Sequence, residues 1–189
     1  MLDTDLAERE RRAVHALAEA MDTRRYAEAL EALVDAARHP LLTARARHPA
    51  TRTLPRRVAK AWRNLEAAAQ LKPLDPDESW HAARIQAKRA RYAAEAVAPA
   101  IGRDAARLAH AIAEVQDVLG DHHDAVIAAQ QWAGLAAQHP DDPAVGITCG
   151  RLIERERAAA RANRTQFDHT WSRATKPKLT RWLTANNRT

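Results

Sequence analysis

The chain has 189 residues, of which 46% are hydrophobic but only 4% aromatic, and it carries a net charge of +6 at pH 7. Its length suits one domain, and the abundance of Ala, Arg, Glu and Leu, all good helix formers, predicts an all-α fold. Cys149 is the only cysteine, which excludes an intrachain disulfide. No apolar run approaches the ~20 residues needed to span a bilayer. The N-terminus lacks the apolar core of a secretory signal. We therefore expect a cytoplasmic protein with no membrane partner.

The positive charge is concentrated in the middle of the sequence. Residues 1–44 carry six Arg against nine Asp or Glu, a net charge of −3. Residues 45–92 carry twelve Lys or Arg against four acids, a net charge of +8, and residues 93–189 have a net charge of +1. Such focusing predicts an anionic partner for the middle segment and says little about the fold.

Apolar spacing and prolines divide the first 53 residues into two helices and a loop. Apolar residues three and four apart predict helices over residues 5–20 and 23–39, and the second must end before Pro40 because the residue preceding proline avoids helical ψ. Residues 40–53 contain two prolines and no clean period, so we expect a connecting loop there.

A third helix is predicted over residues 55–71, opening at Pro55 because proline favours the first helical turn. One side of this helix is apolar. Arg56, Lys60 and Arg63 recur at intervals of four and three and form a cationic stripe beside it.

The segment "DPDESW" predicts the start of a fourth helix. Asp75 suits the N-cap, Pro76 the first turn and Glu78 the third helical position, which together make a capping box. The helix should run to Val97, before Pro99.

Further helices are expected over residues 104–119, ending at Gly120, and over residues 121–138. A long helix should start at Asp142-Pro143 and reach about residue 173, and a short one should cover residues 177–185. The result is a bundle of about seven helices.

The stretch "HAARIQAKRARY" on the fourth helix is strongly basic. At 100° per residue, one face about 100° wide holds His81, Arg84, Lys88, Arg91 and Tyr92. Arg89 lies to one side. A solvated surface is the ordinary interpretation of such a run, but no Asp or Glu lies between residues 79 and 94 to relieve the repulsion. A second basic stripe on the preceding helix favours an anion-binding groove.

Two segments resemble the CHAD domain, the conserved histidine α-helical domain. "WHAARIQAKRARYAAEAVAP" resembles its pattern of His, Arg three later and then Lys-Arg-x-Arg-Tyr, and "IAEVQDVLGDHHDAVIA" resembles its leucine-glycine segment with Asp124 four after Gly120. "GRLIERERAAARANRTQFDHTW", residues 150–171, is similar to its closing helix. The resemblance implies an all-helical fold that binds inorganic polyphosphate through a basic surface.

The resemblance also implies site residues. It implies that the anion is contacted by His81, Arg84, Lys88, Arg89 and Arg91. On the preceding helix it suggests the same role for Arg56, Arg57, Lys60 and Arg63. From the residues themselves, we expect a structural or orienting role for Tyr92, Asp117 and Asp124. Asp117 and Asp124 are seven apart and share a helix face, where we expect them to pair with Arg or Lys.

The resemblance covers only the second half of the family's two related halves, together with connecting helices. We expect residues 1–189 to form a single domain, with connecting helices in residues 1–44 and the basic bundle in residues 54–185. Because one basic helix is present where the family has two, either this half binds alone and weakly or a homodimer brings two basic helices together.

Other candidate sites are weaker. His122, His123 and Asp124 suggest a metal ligand set, but adjacent side chains on a helix diverge by about 100°, so we expect no metal and no cofactor. A further basic row consists of Arg157, Arg161 and Arg164. It has two possible interpretations, a solvated face or an anion site, and the nearby Glu154 and Glu156 are the argument for a solvated face. The five tryptophans should serve packing.

The leading functional hypothesis is non-catalytic binding of inorganic polyphosphate, or a similar polyanion, in a groove formed by helices about 54–71 and 76–98. The alternative is a nucleic-acid binding module that holds the phosphate backbone, although no helix-turn-helix or aromatic RNA platform is recognisable. An enzyme acting on phosphoanhydrides would need metal-binding carboxylates on the basic face, which has none. The resemblance implies a cytoplasmic location with association with polyphosphate granules.

Overall fold

The computed structural model describes residues 2–184, without the side chains of Leu2, Asp3, Asp5 and Arg45. The predicted all-α class is confirmed, since the described residues form seven α-helices and no strand. The helices are α1 (Leu2–Met21), α2 (Arg24–Arg38), α3 (Ala50–Ala68), α4 (Asp77–Ile101), α5 (Arg103–Gln138), α6 (Pro143–Ala174) and α7 (Pro177–Thr180). Short 3-10 helices occupy Ala44–Arg47 and Arg181–Leu183. None of the helices in this part of the chain has the length and apolar character needed to cross a membrane.

The chain divides into two compact units, residues 1–47 and residues 48–189. The first unit contains α1 and α2, and the second contains α3 to α7. The expectation of a single domain over residues 1–189 stays a prediction.

The first unit is a pair of amphipathic helices that bury little. Thr23 caps α2, since its hydroxyl accepts the Tyr26 N–H at 3.2 Å, and the helix ends before His39 and Pro40. No residue of α2 is buried. The large apolar side chains of both helices stay exposed, namely Leu6, Val14, Leu17, Met21, Tyr26, Leu30, Leu33 and Val34.

The predicted start of α3 is wrong by five residues, because the helix begins at Ala50 and not at Pro55. Pro49 occupies the N-cap position, and Pro55 lies inside the helix, where it is buried. Proline at this point leaves one helical hydrogen bond unmade. Packing of Leu54 and Pro55 against the core offsets that cost.

The capping box predicted for α4 is also absent. The helix begins at Asp77 with Pro76 at the N-cap position and no side-chain cap. The Asp75 carboxylate instead accepts the Lys72 N–H at 2.8 Å and closes the turn before the helix. At the other end α4 continues through Pro99 and stops at Gly102, whose φ of +89° is accessible to glycine at little cost.

The two helices predicted over residues 104–119 and 121–138 form one continuous helix, α5. Gly120 was expected to end a helix, yet α5 runs without interruption for 36 residues. Gly120 has ordinary helical geometry, and a Cβ added there would meet nothing within 4 Å. A glycine is a frequent C′ residue but does not by itself stop a helix whose apolar face continues beyond it, as it does here at Ala125.

The core of the second unit lies between α3, α4, α5 and α6. Buried alanines on α4 recur at intervals of three and four, namely Ala83, Ala87, Ala90 and Ala94. Such short side chains allow neighbouring helices to pack closely. The basic residues of α4 that flank these alanines therefore lie at the edge of the contact between helices. Aromatic rings complete the core, with Trp62 stacked on Trp171 at 5.5 Å and Trp80 edge-on to Phe167 at 5.4 Å.

The start of α6 is confirmed. The Asp142 carboxylate accepts the N–H groups of Ala144 and Val145 at 3.0 and 3.2 Å, with Pro143 at the first helical position. The last predicted helix is shorter than expected, and residue 185, its predicted end, lies outside the described residues.

Candidate anion-binding site

The basic face of α4 lies at the edge of its buried side. His81, Arg84, Lys88 and Arg91 are each half-buried, whereas Arg89 and Tyr92 are exposed. The four half-buried residues therefore form one cationic row, and we call these four residues the α4 face.

The α4 face runs along α5. The ring of His81 lies 4.7 Å from the ring of His123. Arg84 also interacts electrostatically with His123, and Arg91 with Asp117. Three members of the face are thus positioned against α5, which local sequence spacing did not predict.

Arg91 has an acidic partner that the sequence interpretation missed. Its Nε donates to Glu95 Oε1 at 2.7 Å, and this hydrogen bond is the main reason that the pKa of Arg91 is raised. The spacing of four residues on one helix was a sufficient signal. Among the residues that the structure describes, Arg84, Lys88 and Arg89 form no ion pair.

Two buried atoms of the α4 face lack hydrogen-bond partners. Nδ1 of His81 and Nε of Arg84 are both inaccessible to solvent and unpaired within residues 2–184. A buried donor without a partner costs free energy, and such atoms in a native fold call for an explanation. Because both atoms are inaccessible to solvent, an anion would have to contact these two side chains through their other nitrogen atoms.

The pKa of His123 is lowered in the free protein. Burial lowers its pKa, and repulsion from Arg84 and His81 lowers it further, while Asp124 acts in the opposite direction. An anion bound at the α4 face would favour the protonated ring. His123 therefore lies beside the α4 face, although sequence spacing alone did not select it.

The predicted contributors on α3 are exposed. They are Arg56, Arg57, Lys60 and Arg63, and they stand outside a buried stripe of α3 that includes Val58 and Trp62. Although α3 packs against α4, the side-chain contacts found for the α4 face are with α5 or within α4 itself. A groove shared between α3 and α4 stays a prediction.

Asp117 and Asp124 are both exposed on α5. Asp117 acts on Arg91 and Asp124 acts on His123 through electrostatic interactions. Their orienting role, and that of Tyr92, stays a prediction.

Arg164 on α6 organises the start of α4 from the opposite side. Its guanidinium donates to the carbonyl oxygens of Pro73 at 2.6 Å and Asp75 at 3.0 Å, and to Asp77 Oδ1 at 2.5 Å. Its Nε donates to His122 Nε2 at 3.0 Å, and its charge lies 5.1 Å from the ring centre of Trp80. This structural role removes Arg164 from the anion row suggested with Arg157 and Arg161.

The rest of that row is partly neutralised. Arg157 pairs with Glu154 at 2.8 Å and Arg161 approaches the same carboxylate at 3.9 Å. Of the two interpretations left open for the row, these contacts favour the solvated and structural one.

His122 and His123 serve different sites. His122 is buried, stacks on Trp80 at 5.1 Å and accepts the hydrogen bond from Arg164, whereas His123 lies against His81. Burial, followed by Arg164, lowers the pKa of His122 against the opposing effect of Asp77. In the described part of the chain no group of three or more His, Cys, Asp or Glu residues is arranged to hold a metal ion.

Comparison with known proteins identifies the family. The model of the CHAD domain matches residues 1–133 of the 189, so the chain belongs to the CHAD domain family. This family is associated with polyphosphate binding. No curated protein and no solved structure showed a significant match.

The family match ends inside α5. Residues 150–171, which resemble the family's closing helix, lie outside it. That part of the resemblance stays a prediction, whereas the α4 face and His123 fall within the matched region.

Proposed function

We propose that the protein binds inorganic polyphosphate, without catalysing a reaction on it, through the α4 face together with the exposed Arg89. The observation that carries the proposal is the half-buried row in which Arg84 and Lys88 have no acidic partner among the described residues. Phosphate oxygens would balance these charges.

The residue types suit a phosphate chain. An arginine fork binds two phosphate oxygens at once, and a lysine adds a compact charge that tolerates several geometries. The row from His81 to Arg91 spans ten residues, roughly 15 Å along the axis of α4, which is long enough for several successive anionic groups. Arg56, Arg57, Lys60 and Arg63 would extend the cationic surface onto α3.

The proposal is tested by reversing the charge of Arg84→Glu and Lys88→Glu together. Binding of long-chain polyphosphate, measured by titration calorimetry at moderate salt, should fall by two orders of magnitude or more, because two attractive contacts become repulsive. The matched control is Arg151→Glu with Arg155→Glu, two exposed residues of α6 with the same spacing and the same change in charge. Circular dichroism checks that each variant is folded.

Equal binding by the Arg84/Lys88 variant and the control variant would contradict the proposed face. Because Arg84 and Lys88 are both half-buried, Arg89→Glu, at an exposed position, serves as a milder variant that should weaken binding in the same direction. Phosphate release from polyphosphate in the presence of Mg²⁺ or Mn²⁺, lost in the Arg84/Lys88 variant, would contradict the non-catalytic part of the proposal.

Nucleic-acid binding is the alternative, because a basic row also suits a phosphodiester backbone. Competition separates the two ligands. We expect a small amount of polyphosphate to displace duplex or single-stranded DNA from the protein, and a DNA complex that resists polyphosphate would favour the alternative.

We also propose that the protein forms a homodimer. The exposed apolar faces of α1 and α2 support this, because an amphipathic helix normally buries its apolar side. A second copy is the favoured partner, since the family resemblance implies a domain of two related halves and a two-fold contact pairs identical faces.

A further inference from the structure

A second basic cavity lies in the second unit, between the beginning of α5, the end of α6 and the segment 176–181. Its volume is about 970 Å³. Six Lys or Arg side chains and one histidine line it, against one carboxylate, that of Glu114. None of these residues belongs to the α4 face or to the predicted stripe on α3.

The single carboxylate is already engaged. Arg173 donates to Glu114 Oε2 at 2.9 Å, and His110 Nε2 lies 3.9 Å from Oε1 of the same group. The other five cations lining the cavity form no ion pair with any residue in the range 2–184. They are Arg103, Arg107, Lys176, Lys178 and Arg181. The cavity therefore carries a local excess of positive charge that the described chain does not balance.

Helix electrostatics makes this excess unfavourable in the free protein. Arg103 and Arg107 lie four residues apart in the first two turns of α5, so their like charges repel each other. The amino end of a helix is also the end at which its dipole disfavours cations. An anion bound in the cavity would offset both costs through its own attraction to these residues and to the helix terminus.

The lining indicates the chemical class of the ligand. It includes no aromatic side chain, so it offers no surface on which nucleic-acid bases could stack. It is concave and its cations come from two separate parts of the chain, α5 and the segment after α6, which suits a flexible chain of phosphates better than a rigid duplex. A cavity of 970 Å³ also has room for more than one phosphate group.

We propose that this cavity is a second binding site for inorganic polyphosphate, formed by Arg103 and Arg107 on one wall and by Lys176 and Lys178 on the other. The choice of ligand rests on the proposed function of the α4 face, but the site itself does not. Lys176 and Lys178 lie beyond residue 133, where the family match ends, whereas Arg103 and Arg107 lie within it.

The test uses two charge-reversal variants of the full chain, one for each wall. They are Arg103→Glu with Arg107→Glu, and Lys176→Glu with Lys178→Glu; all four residues are exposed. Titration calorimetry with short-chain polyphosphate should show two sites on the wild-type protein. Either variant should lower the affinity of one of them by about ten-fold or more, given the size of the interaction between a basic residue and an anionic surface.

The variant Arg151→Glu with Arg155→Glu again serves as the matched control, since it makes the same change in net charge on an exposed helix surface. If both wall variants bind polyphosphate like this control, the second site is wrong. If only one wall matters, the proposed cavity is wrong, because both walls should contact the same ligand.

The two proposals fail in different ways. If the wall variants lose one binding site and the Arg84/Lys88 variant loses the other, both proposals are supported. Loss in the wall variants alone supports the cavity and overturns the α4 face. If the wall variants lose binding of single-stranded DNA but keep all binding of polyphosphate, the ligand class assigned to the cavity is wrong.

Discussion

Arg164 joins three separate parts of the second unit through one guanidinium group. It contacts the turn before α4, the first residue of α4 and His122 on α5, and only 16% of its side chain is exposed. A rigid fork with five donors can serve all these acceptors at once, whereas a lysine ammonium cannot.

We expect Arg164→Lys to lower the free energy of unfolding by about 2–4 kcal/mol, because several charge-assisted hydrogen bonds to partly buried acceptors are lost. Urea denaturation measures the change. Arg161→Lys, at an exposed position on the same helix, should change stability by less than about 0.5 kcal/mol. Similar effects from the two substitutions would contradict the role given to Arg164.

His122 makes stability depend on pH. Burial and Arg164 lower its pKa below the ordinary value of 6.5, so the unfolded chain binds a proton at a pH where the folded chain does not. The free energy of unfolding should therefore fall as the pH drops below about 6.5, by up to about 1.4 kcal/mol per pH unit from this group.

His122→Gln should reduce that slope, since an amide oxygen can still accept from Arg164 but does not titrate. Denaturation midpoints at several pH values between neutral and mildly acidic measure it. The readout is the slope, because loss of the stacking on Trp80 lowers stability at every pH. An unchanged slope would show that His122 is not the group that titrates.

In α5, the packing of a continuous apolar face outweighs a local signal for a helix end. A helix end was predicted at Gly120 because glycine is common after a helix, but the helix continues to Gln138. The local preference of glycine for ending a helix over continuing it is worth about 1 kcal/mol at most. Burial of the apolar face of α5 against α4 and α6 outweighs this preference.

Gly120→Ala should therefore stabilise the protein by about 0.5–1 kcal/mol, since alanine has the higher helix propensity and its Cβ meets no atom within 4 Å. Thermal unfolding measures the shift. Gly134→Ala on the same helix should act in the same direction, whereas Gly102→Ala should destabilise because of its positive φ. If Gly120→Ala destabilised as Gly102→Ala does, the helix would be broken at residue 120.

At the scale of the whole molecule, the apolar faces of α1 and α2 raise the question of assembly. Leu17 and Leu30 are 59% and 49% exposed, which is unusual for apolar residues of regularly spaced helices. We expect the wild-type protein to sediment as a dimer at tens of micromolar. Leu17→Glu with Leu30→Glu should shift it to monomers, because a charge buried in an apolar contact is costly.

Leu74→Glu is the control for this experiment, since Leu74 is 96% exposed but lies in the turn before α4. It should leave the sedimentation coefficient unchanged. A wild-type protein that is monomeric under the same conditions would rule out the proposed dimer.

The helical class, the start of α6 at Asp142 and the basic row from His81 to Arg91 were all predictable from the sequence. Each depends on interactions within one or two helical turns, where residue type and spacing decide the geometry. The family could be recognised for the same reason, because its motif is carried by single helices.

Only the tertiary structure decided where α3 begins, whether α5 continues past Gly120, and which side chains meet across helices. The contact between His81 and His123 and the hydrogen bonds of Arg164 join residues far apart in sequence. No local spacing encodes such contacts, because they depend on how the apolar faces of whole helices pack. The second basic cavity depends on the same packing, since it combines the beginning of α5 with the segment after α6.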